Sequence, residues 1–348
     1  MLAAVIKKPG LIAIETVPTP VPAAGEVLLK VEACALCGTD QRVLQGEKHV
    51  DVSIVGHEVT GTVAAVGPGV SNVQEGQRYI VQTVIGCGLC PMCRAQRENL
   101  CEKGFIAMGY QFNGGFAEYM IMPRVAVEQG CLISIPADLP ADIGTLIEPL
   151  SCCVNGMQYI PLEETEHVVI FGGGIIGVLN GLVARARGAR IITIMDVSQP
   201  RLDLLKKLQL PFDNLVNTSG VTPTAWVKEH TQGRGVDAVV VAASVKALVL
   251  EGLNLLRRAG HLSIFAGLPK SDPVAGVDLN KIHYQELNLH GANSSSRAAY
   301  LQARDYLLKG QIDGRALVTH RFPLSRFHEA VRVQADPAQG ALKVVIVY

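Results

Sequence analysis

One stretch, 167–196, leaves this chain few ways to fold: HVVIFGGGIIGVLNGLVARARGARIITIMD. His167–Phe171 is a short apolar run of β character. Gly172, Gly174 and Gly177 follow in GxGxxG spacing. Residues 175–187 read as a helix with an apolar face, and Gly188 is placed to end it. Residues 191–195 form a second apolar run, closed by Asp196. Strand, glycine turn, helix, strand and terminal acid together form the context that a dinucleotide-binding turn requires.

Each position has its own physical reason. The first glycine permits the tight turn, the second lets backbone N–H groups approach a pyrophosphate, and the third lets helix and strand pack closely. Ile175 and Ile176 open the helix, whose N-terminus carries free N–H donors and partial positive charge. Asp196 suits a ribose diol and repels a 2′-phosphate, which favours NAD over NADP. Arg201 nearby weakens that preference. The plain alternative is a glycine-rich turn in some other α/β protein.

The chain has 348 residues, more than one core usually serves, so two domains are expected. Hydrophobic residues make up 49% and charged residues 18%, a balance that fits a well-buried enzyme and excludes a disordered chain. The formal net charge is zero, which gives no electrostatic case for nucleic acid or a membrane surface. The opening MLAAVIKKPG lacks the apolar core of a signal peptide, and no segment has the ~18 apolar residues of a membrane span. A cytoplasmic location is the expectation. Nine cysteines there point to metal or catalysis before disulfides.

Residues 1–81 read as all-β, with strands expected at 2–6, 12–17 and 27–35 between Pro and Gly turns. Residues 86–101, GCGLCPMCRAQRENLC, break that pattern. Cys87, Cys90, Cys93 and Cys101 follow C-x2-C-x2-C-x7-C, the donor set of a closed structural zinc site. The spacing alone also fits an iron–sulfur cluster. A nucleic-acid-reading finger fails on charge, because Glu98 and Glu102 nearly offset Arg94, Arg97 and Lys103. Beyond the lobe, strands are expected at 116–122 and 132–135, and a largely helical stretch at 141–157. After the glycine turn, a helix at 199–208, a strand at 236–242, a helix at 246–258 and a strand at 261–265 continue a doubly wound parallel sheet. Helices at 297–309 and 324–335 and a strand at 341–347 follow. The domain expectation is 1–150, with the zinc lobe near 86–102, then 151–291, then 292–348.

Cys37 sits in CGTD, and His57 and Glu58 sit in GHE. Each alone is more often a buried bystander than a ligand. Together they supply thiolate, imidazole and carboxylate, enough to hold Zn²⁺ with one position open. With CGTD, GHE, the four-cysteine lobe and GGGIIG in this order along the whole chain, the sequence resembles the zinc-containing medium-chain dehydrogenase/reductase family.

The resemblance implies an α/β protein: a GroES-like β-barrel catalytic domain, completed by the C-terminal segment, plus a Rossmann domain binding NAD. It implies two zinc ions per chain. Cys37 and His57 become catalytic zinc ligands, and Glu148 in EPLSCC matches the third ligand position. Simple-alcohol members usually carry cysteine there, whereas polyol and threonine dehydrogenase members carry glutamate. Glu58 matches a carboxylate near the metal that exchanges with Glu148 or water. Asp40 would orient His57 and fix its tautomer. Thr39 matches the hydroxyl that relays the alcohol proton. A homodimer or homotetramer is implied as well.

The chemistry fits those roles. Zinc acts as a Lewis acid on an alcohol, Thr39 takes the proton, and hydride passes to C4 of a nicotinamide. One position departs from the pattern: Arg42 stands where many relatives carry a proton-passing histidine, and arginine cannot serve as a base. Arg42, with Lys48 or Arg297, could select an anionic sugar phosphate or sugar acid; the bland reading is a solvated loop arginine. Ser294, Ser295 and Ser296 read equally as substrate contacts or as an ordinary polar loop. Cys34, Cys131, Cys152 and Cys153 read as small core residues.

The expected activity is NAD-dependent oxidation of a secondary alcohol of a polyol, polyol phosphate or related sugar acid. The alternatives are an L-threonine 3-dehydrogenase-like enzyme, another secondary-alcohol dehydrogenase, or a non-catalytic NAD- and zinc-binding relative.

Overall fold

The computed structural model describes residues 1–348. It divides into two compact units, Met1–Ser151 with Ser294–Tyr348, and Cys152–Asn293. No helix is long and apolar enough to cross a membrane.

The second unit is built on a six-stranded, wholly parallel sheet. Its spatial order is Asn214–Asn217, Ile191–Asp196, His167–Phe171, Val236–Val241, Leu256–Ile264, Asn288–Gly291. Numbered along the unit, that is 3-2-1-4-5-6, the doubly wound order whose switch point lies beside the first strand. His167–Phe171 is buried along its whole length, as a central parallel strand should be.

The glycines after it do three different jobs. Gly172 has φ +110°, a left-handed conformation that L side chains resist. Gly174 caps the helix Ile175–Ala186, and a Cβ there would meet nothing within 4 Å, so its backbone is open to a ligand. At Gly177 a Cβ would sit 1.8 Å from the Gly172 carbonyl oxygen. Gly177→Ala must therefore push helix and turn apart. We expect it to weaken NADH affinity at least about tenfold, read by fluorescence titration, because pyrophosphate donors depend on that spacing. Unchanged affinity would remove the turn from the cofactor site.

The first unit is a bent, mainly antiparallel seven-stranded sheet. Its path runs Val318–Pro323, Lys343–Val347, Val27–Ala35, Glu58–Val66, Arg78–Val81, Leu132–Ser134, and Tyr119–Met122 also pairs with Val27–Ala35. A hairpin, Leu2–Lys8 with Leu11–Thr16, stands beside it. Val27, Leu29, Val31, Phe116, Met122, Val344 and Ile346 centre its core.

Three expectations need correction. Residues 1–81 are not all-β, because Gly38–Leu44 is a helix. Cys37 caps it through its sulfur, which accepts the Thr39 N–H at 3.5 Å, while Asp40 reaches back to the Cys37 N–H at 2.9 Å. That is a capping box with cysteine in the serine position. The helix expected at 246–258 ends at Leu255, and the strand begins at once with Leu256. The helix expected at 324–335 begins as a 3₁₀ turn, Leu324–Arg326, before Phe327–Ala335. The remaining bounds differ mostly by a residue or two at frayed ends.

Candidate metal centres and dinucleotide turn

Two clusters of metal-type donors form in the first unit. The sulfurs of Cys87, Cys90, Cys93 and Cys101 all lie within 4.8 Å of one another, and all four are free thiols. Cys87 Sγ and Cys93 Sγ are 3.9 Å apart. A tetrahedron with Zn–S bonds of about 2.3 Å has an edge of about 3.8 Å, so the cage fits zinc. Backbone N–H groups of Cys90 and Cys93 point at Cys87 Sγ and Cys90 Sγ, both at 3.4 Å. The N–H groups of Leu89 and Cys90 pull the Cys87 thiol down to about 6, whereas burial pushes Cys93 up to about 12. A cation would be needed to deprotonate the whole set.

The second cluster brings Cys37, His57 and Glu58 within the same 4.8 Å limit. Local structure explains how. Cys37 is pinned at the start of its helix, and the Leu36 N–H bonds the Val344 carbonyl at 2.9 Å. Asp40, already holding the Cys37 N–H, brings Oδ1 within 3.4 Å of His57 Nδ1. That contact engages Nδ1, so Nε2 is the nitrogen that could hold a metal. Burial opposes a charged imidazole, but Tyr110, Asp40 and Cys37 outweigh it and hold the His57 pKa well above its ordinary value. The Thr39 side chain is half-buried on the same helix.

Two carboxylates flank this cluster, and their roles are unequal. Glu58 shares it with Cys37 and His57, whereas Glu148, on the helix Ile147–Gly156, lies outside the group of three ligand atoms. Glu148 is buried and near enough for its charge to push the Glu58 carboxyl up. Burial is the larger cause of that rise, which carries Glu58 to about 7 against the pull of Lys343. Lys343 forms an ion pair with Glu58, and both side chains are only 1% exposed. Despite its burial, the ammonium is held above its ordinary range by Glu58, Cys37 and Glu148.

Lys343 was not singled out from the sequence. Its signal was present: a lysine heading the apolar run KVVIV must find a buried partner. Two hydrogen-bonded braces were also unforeseen. Tyr300 hydroxyl accepts the Thr83 N–H at 3.0 Å, and Thr83 Oγ1 donates to the His57 carbonyl at 2.9 Å. Ser151 Oγ donates to the Glu148 carbonyl at 2.6 Å and stands 2.6 Å from Ser295 Oγ. Ser295 is fully buried, and Ser296 caps the helix Arg297–Leu308. These two serines are therefore structural, while Ser294 takes a left-handed φ of +51°.

The cations weighed for an anionic substrate separate too. Arg42 Nε lies 3.7 Å from Glu47 Oε2 on the surface, and the Arg297 guanidinium bonds the Gly130 carbonyl. Lys48 lies over the Tyr110 ring, 4.4 Å from its centroid. Cys34, Cys131 and Cys153 are buried and Cys152 half-buried.

In the second unit, Asp196 buttresses the glycine turn. Its Oδ2 accepts the Gly173 N–H and its Oδ1 accepts the Ser198 N–H, both at 2.7 Å. Each oxygen keeps a further lone pair for a diol. Arg201 Nη1 is 3.7 Å from Oδ2.

Comparison with known proteins gives concordant results. Residues 23–132 match the family model described as alcohol dehydrogenase GroES-like domain, and residues 176–309 match that of zinc-binding dehydrogenase. An L-threonine 3-dehydrogenase of Bacillus licheniformis is 30% identical over 99% of both chains. A sorbitol dehydrogenase of Halalkalibacterium halodurans is 28% identical over 97% of this chain and 96% of that one. Among solved structures, a zinc-binding dehydrogenase from Sinorhizobium meliloti 1021 bound to NADP superposes with a TM-score of 0.89. It is 29% identical and covers 100% of this chain and 99% of its own.

Proposed function

The chain belongs to the zinc-type medium-chain alcohol dehydrogenase family, and we propose that within it the protein is an NAD-dependent polyol dehydrogenase. It oxidises a secondary alcohol of a sugar alcohol, of a polyol phosphate or of a related sugar acid, reversibly. The observation that carries this reading is the convergence of Cys37, His57 and Glu58 ligand atoms, with Thr39 on the helix that Cys37 caps.

Zinc, when bound by Cys37, His57 and a carboxylate, supplies Lewis acidity that brings alcohol deprotonation toward neutral pH. The chain's residues do the remaining work. Asp40 holds Nδ1 of His57 and so keeps the ligand nitrogen bare. The Thr39 hydroxyl accepts the alcohol proton and passes it outward. Arg42 stays protonated and takes no part in that relay. Gly172, Gly174 and Gly177, with the first N–H groups of the Ile175 helix, would cradle a dinucleotide, which when bound would supply the hydride acceptor. The Asp196 carboxylate favours NAD, although the Sinorhizobium relative was solved with NADP. Cys87, Cys90, Cys93 and Cys101 hold a second, structural zinc. We also infer a cytoplasmic homodimer or homotetramer.

A second reading has specific support. The Bacillus relative is an L-threonine 3-dehydrogenase, and such enzymes are expected to share the same ligand set. Zinc-replete protein should be screened for NADH formation with polyols, polyol phosphates, sugar acids and L-threonine, and then with NADP in place of NAD. Turnover of polyol-type substrates supports the first reading. Turnover confined to L-threonine supports the second.

A further inference from the structure

Tyr110 is a plate that joins the metal site to a fixed cation. Its ring centroid lies 5.5 Å from that of His57, tilted by 47°. Phe105 meets it edge-on at 5.9 Å and 86°. Lys48 Nζ rests 4.4 Å from the same centroid. Tyr110 feels the charges of Cys37, Asp40 and Glu148 as well as that of His57, so its side chain lies among the metal-site groups. Burial pushes its phenol up to about 12, and the hydroxyl therefore stays a neutral donor at working pH.

Lys48 is fixed at both ends. Its N–H donates to the Arg42 carbonyl at 3.2 Å, which ties the loop to the helix carrying Cys37 and Thr39. The aromatic face holds its ammonium and lowers the entropy lost when that ammonium meets a ligand. Around it, Arg42 faces Glu47, His49 stands 3.4 Å from Asp51, and Arg297 bonds a backbone carbonyl.

We propose that Lys48 is a specificity-determining residue and that the substrate is an anionic secondary alcohol. The reacting hydroxyl goes to the metal site, a neighbouring hydroxyl accepts from Tyr110, and a phosphate ester or carboxylate farther along the carbon chain meets the Lys48 ammonium. This inference rests on the dehydrogenase reading above and narrows its substrate class. Charge-assisted contacts of this kind are stronger than neutral ones, and about a tenfold preference or more is expected.

The test uses zinc-replete, NAD-saturated enzyme and three matched substrates: sorbitol, sorbitol 6-phosphate and gluconate. The proposal expects kcat/KM for one or both anionic members to exceed that for sorbitol at least about tenfold, mainly through KM. Which anion is preferred identifies phosphate or carboxylate as the recognised group. Lys48→Met should cost the preferred anion at least about tenfold more than it costs sorbitol, and Lys48→Arg should restore most of that difference. NADH affinity and thermal midpoint, measured on each variant, report whether the fold survives. Preference for neutral sorbitol, or an equal loss on all three substrates in Lys48→Met, overturns the proposal. If no alcohol is turned over, the dehydrogenase reading fails separately. Titration of the NADH-bound protein with inorganic phosphate then decides on Lys48: saturable binding lost in Lys48→Met upholds the anion site, and its absence in the parent protein overturns it.

Discussion

Replacing Cys37 by alanine is expected to lower kcat at least about a thousandfold, since a Lewis acid supplies several kcal/mol and each 1.36 kcal/mol is a factor of ten. Zinc content should fall from two ions per chain to one, while NADH affinity stays close to that of the parent. The sulfur also caps the helix Gly38–Leu44, so alanine should cost about 1 kcal/mol of stability in addition. Cys37→Ser separates the two roles. Serine is a good cap, so this variant should keep its thermal midpoint and still lose turnover. Cys93→Ala should do the opposite, because it opens the four-sulfur cage and lowers the thermal midpoint before it touches the chemistry. Full activity in Cys37→Ala would refute the catalytic metal assignment.

Lys343→Met should be the most destabilising single change in the first unit. It leaves Glu58 buried beside Glu148 with only His57 to offset its charge, and removing one partner of such a pair costs about 3–5 kcal/mol. The loss should depend on pH with a definite sign. Burial already raises Glu58 to about 7 in the folded protein, and without Lys343 its pKa rises further. A carboxyl whose folded-state pKa lies above its unfolded value makes the fold less stable as pH climbs between the two. Metal-free Lys343→Met should therefore lie close to the parent near pH 4.5 and fall well below it at pH 8. Urea unfolding at the two pH values reads this directly. The double variant with Glu58→Gln should recover much of the deficit at pH 8. Equal midpoints for parent and Lys343→Met at pH 8 would mean that the pair contributes nothing.

What the sequence made legible follows from range. The glycine turn, the cysteine lobe and CGTD depend on spacings of a few residues, and those spacings can be read directly. The helix at Gly38–Leu44 was hidden among strands because cysteine is an unusual cap, although Asp40 in the third helical position was a usable sign. The Glu58–Lys343 pair, the Thr83–Tyr300 brace and the Ser151–Ser295 brace join residues far apart in the chain. A local pattern such as KVVIV shows that Lys343 needs a buried partner, but not which residue that partner is. Glu148 entered as third ligand by family resemblance, whereas the geometry groups Glu58 with Cys37 and His57. The GANSSS serines remained ambiguous because polar loops and buried braces use the same residue types.

The strand Lys343–Val347 has a consequence for biosynthesis. It lies between Val318–Pro323 and Val27–Ala35, and it delivers both the Val344 carbonyl behind Leu36 and the Lys343 charge beside Glu58. Every other strand of that sheet leaves the ribosome before it does. During translation the nascent sheet therefore waits with an unfilled slot between Val318–Pro323 and Val27–Ala35, and Cys37 lacks its neighbouring support until the last strand arrives. The unit that carries Cys37, His57 and Glu58 therefore closes only after the whole of Cys152–Asn293 has been made.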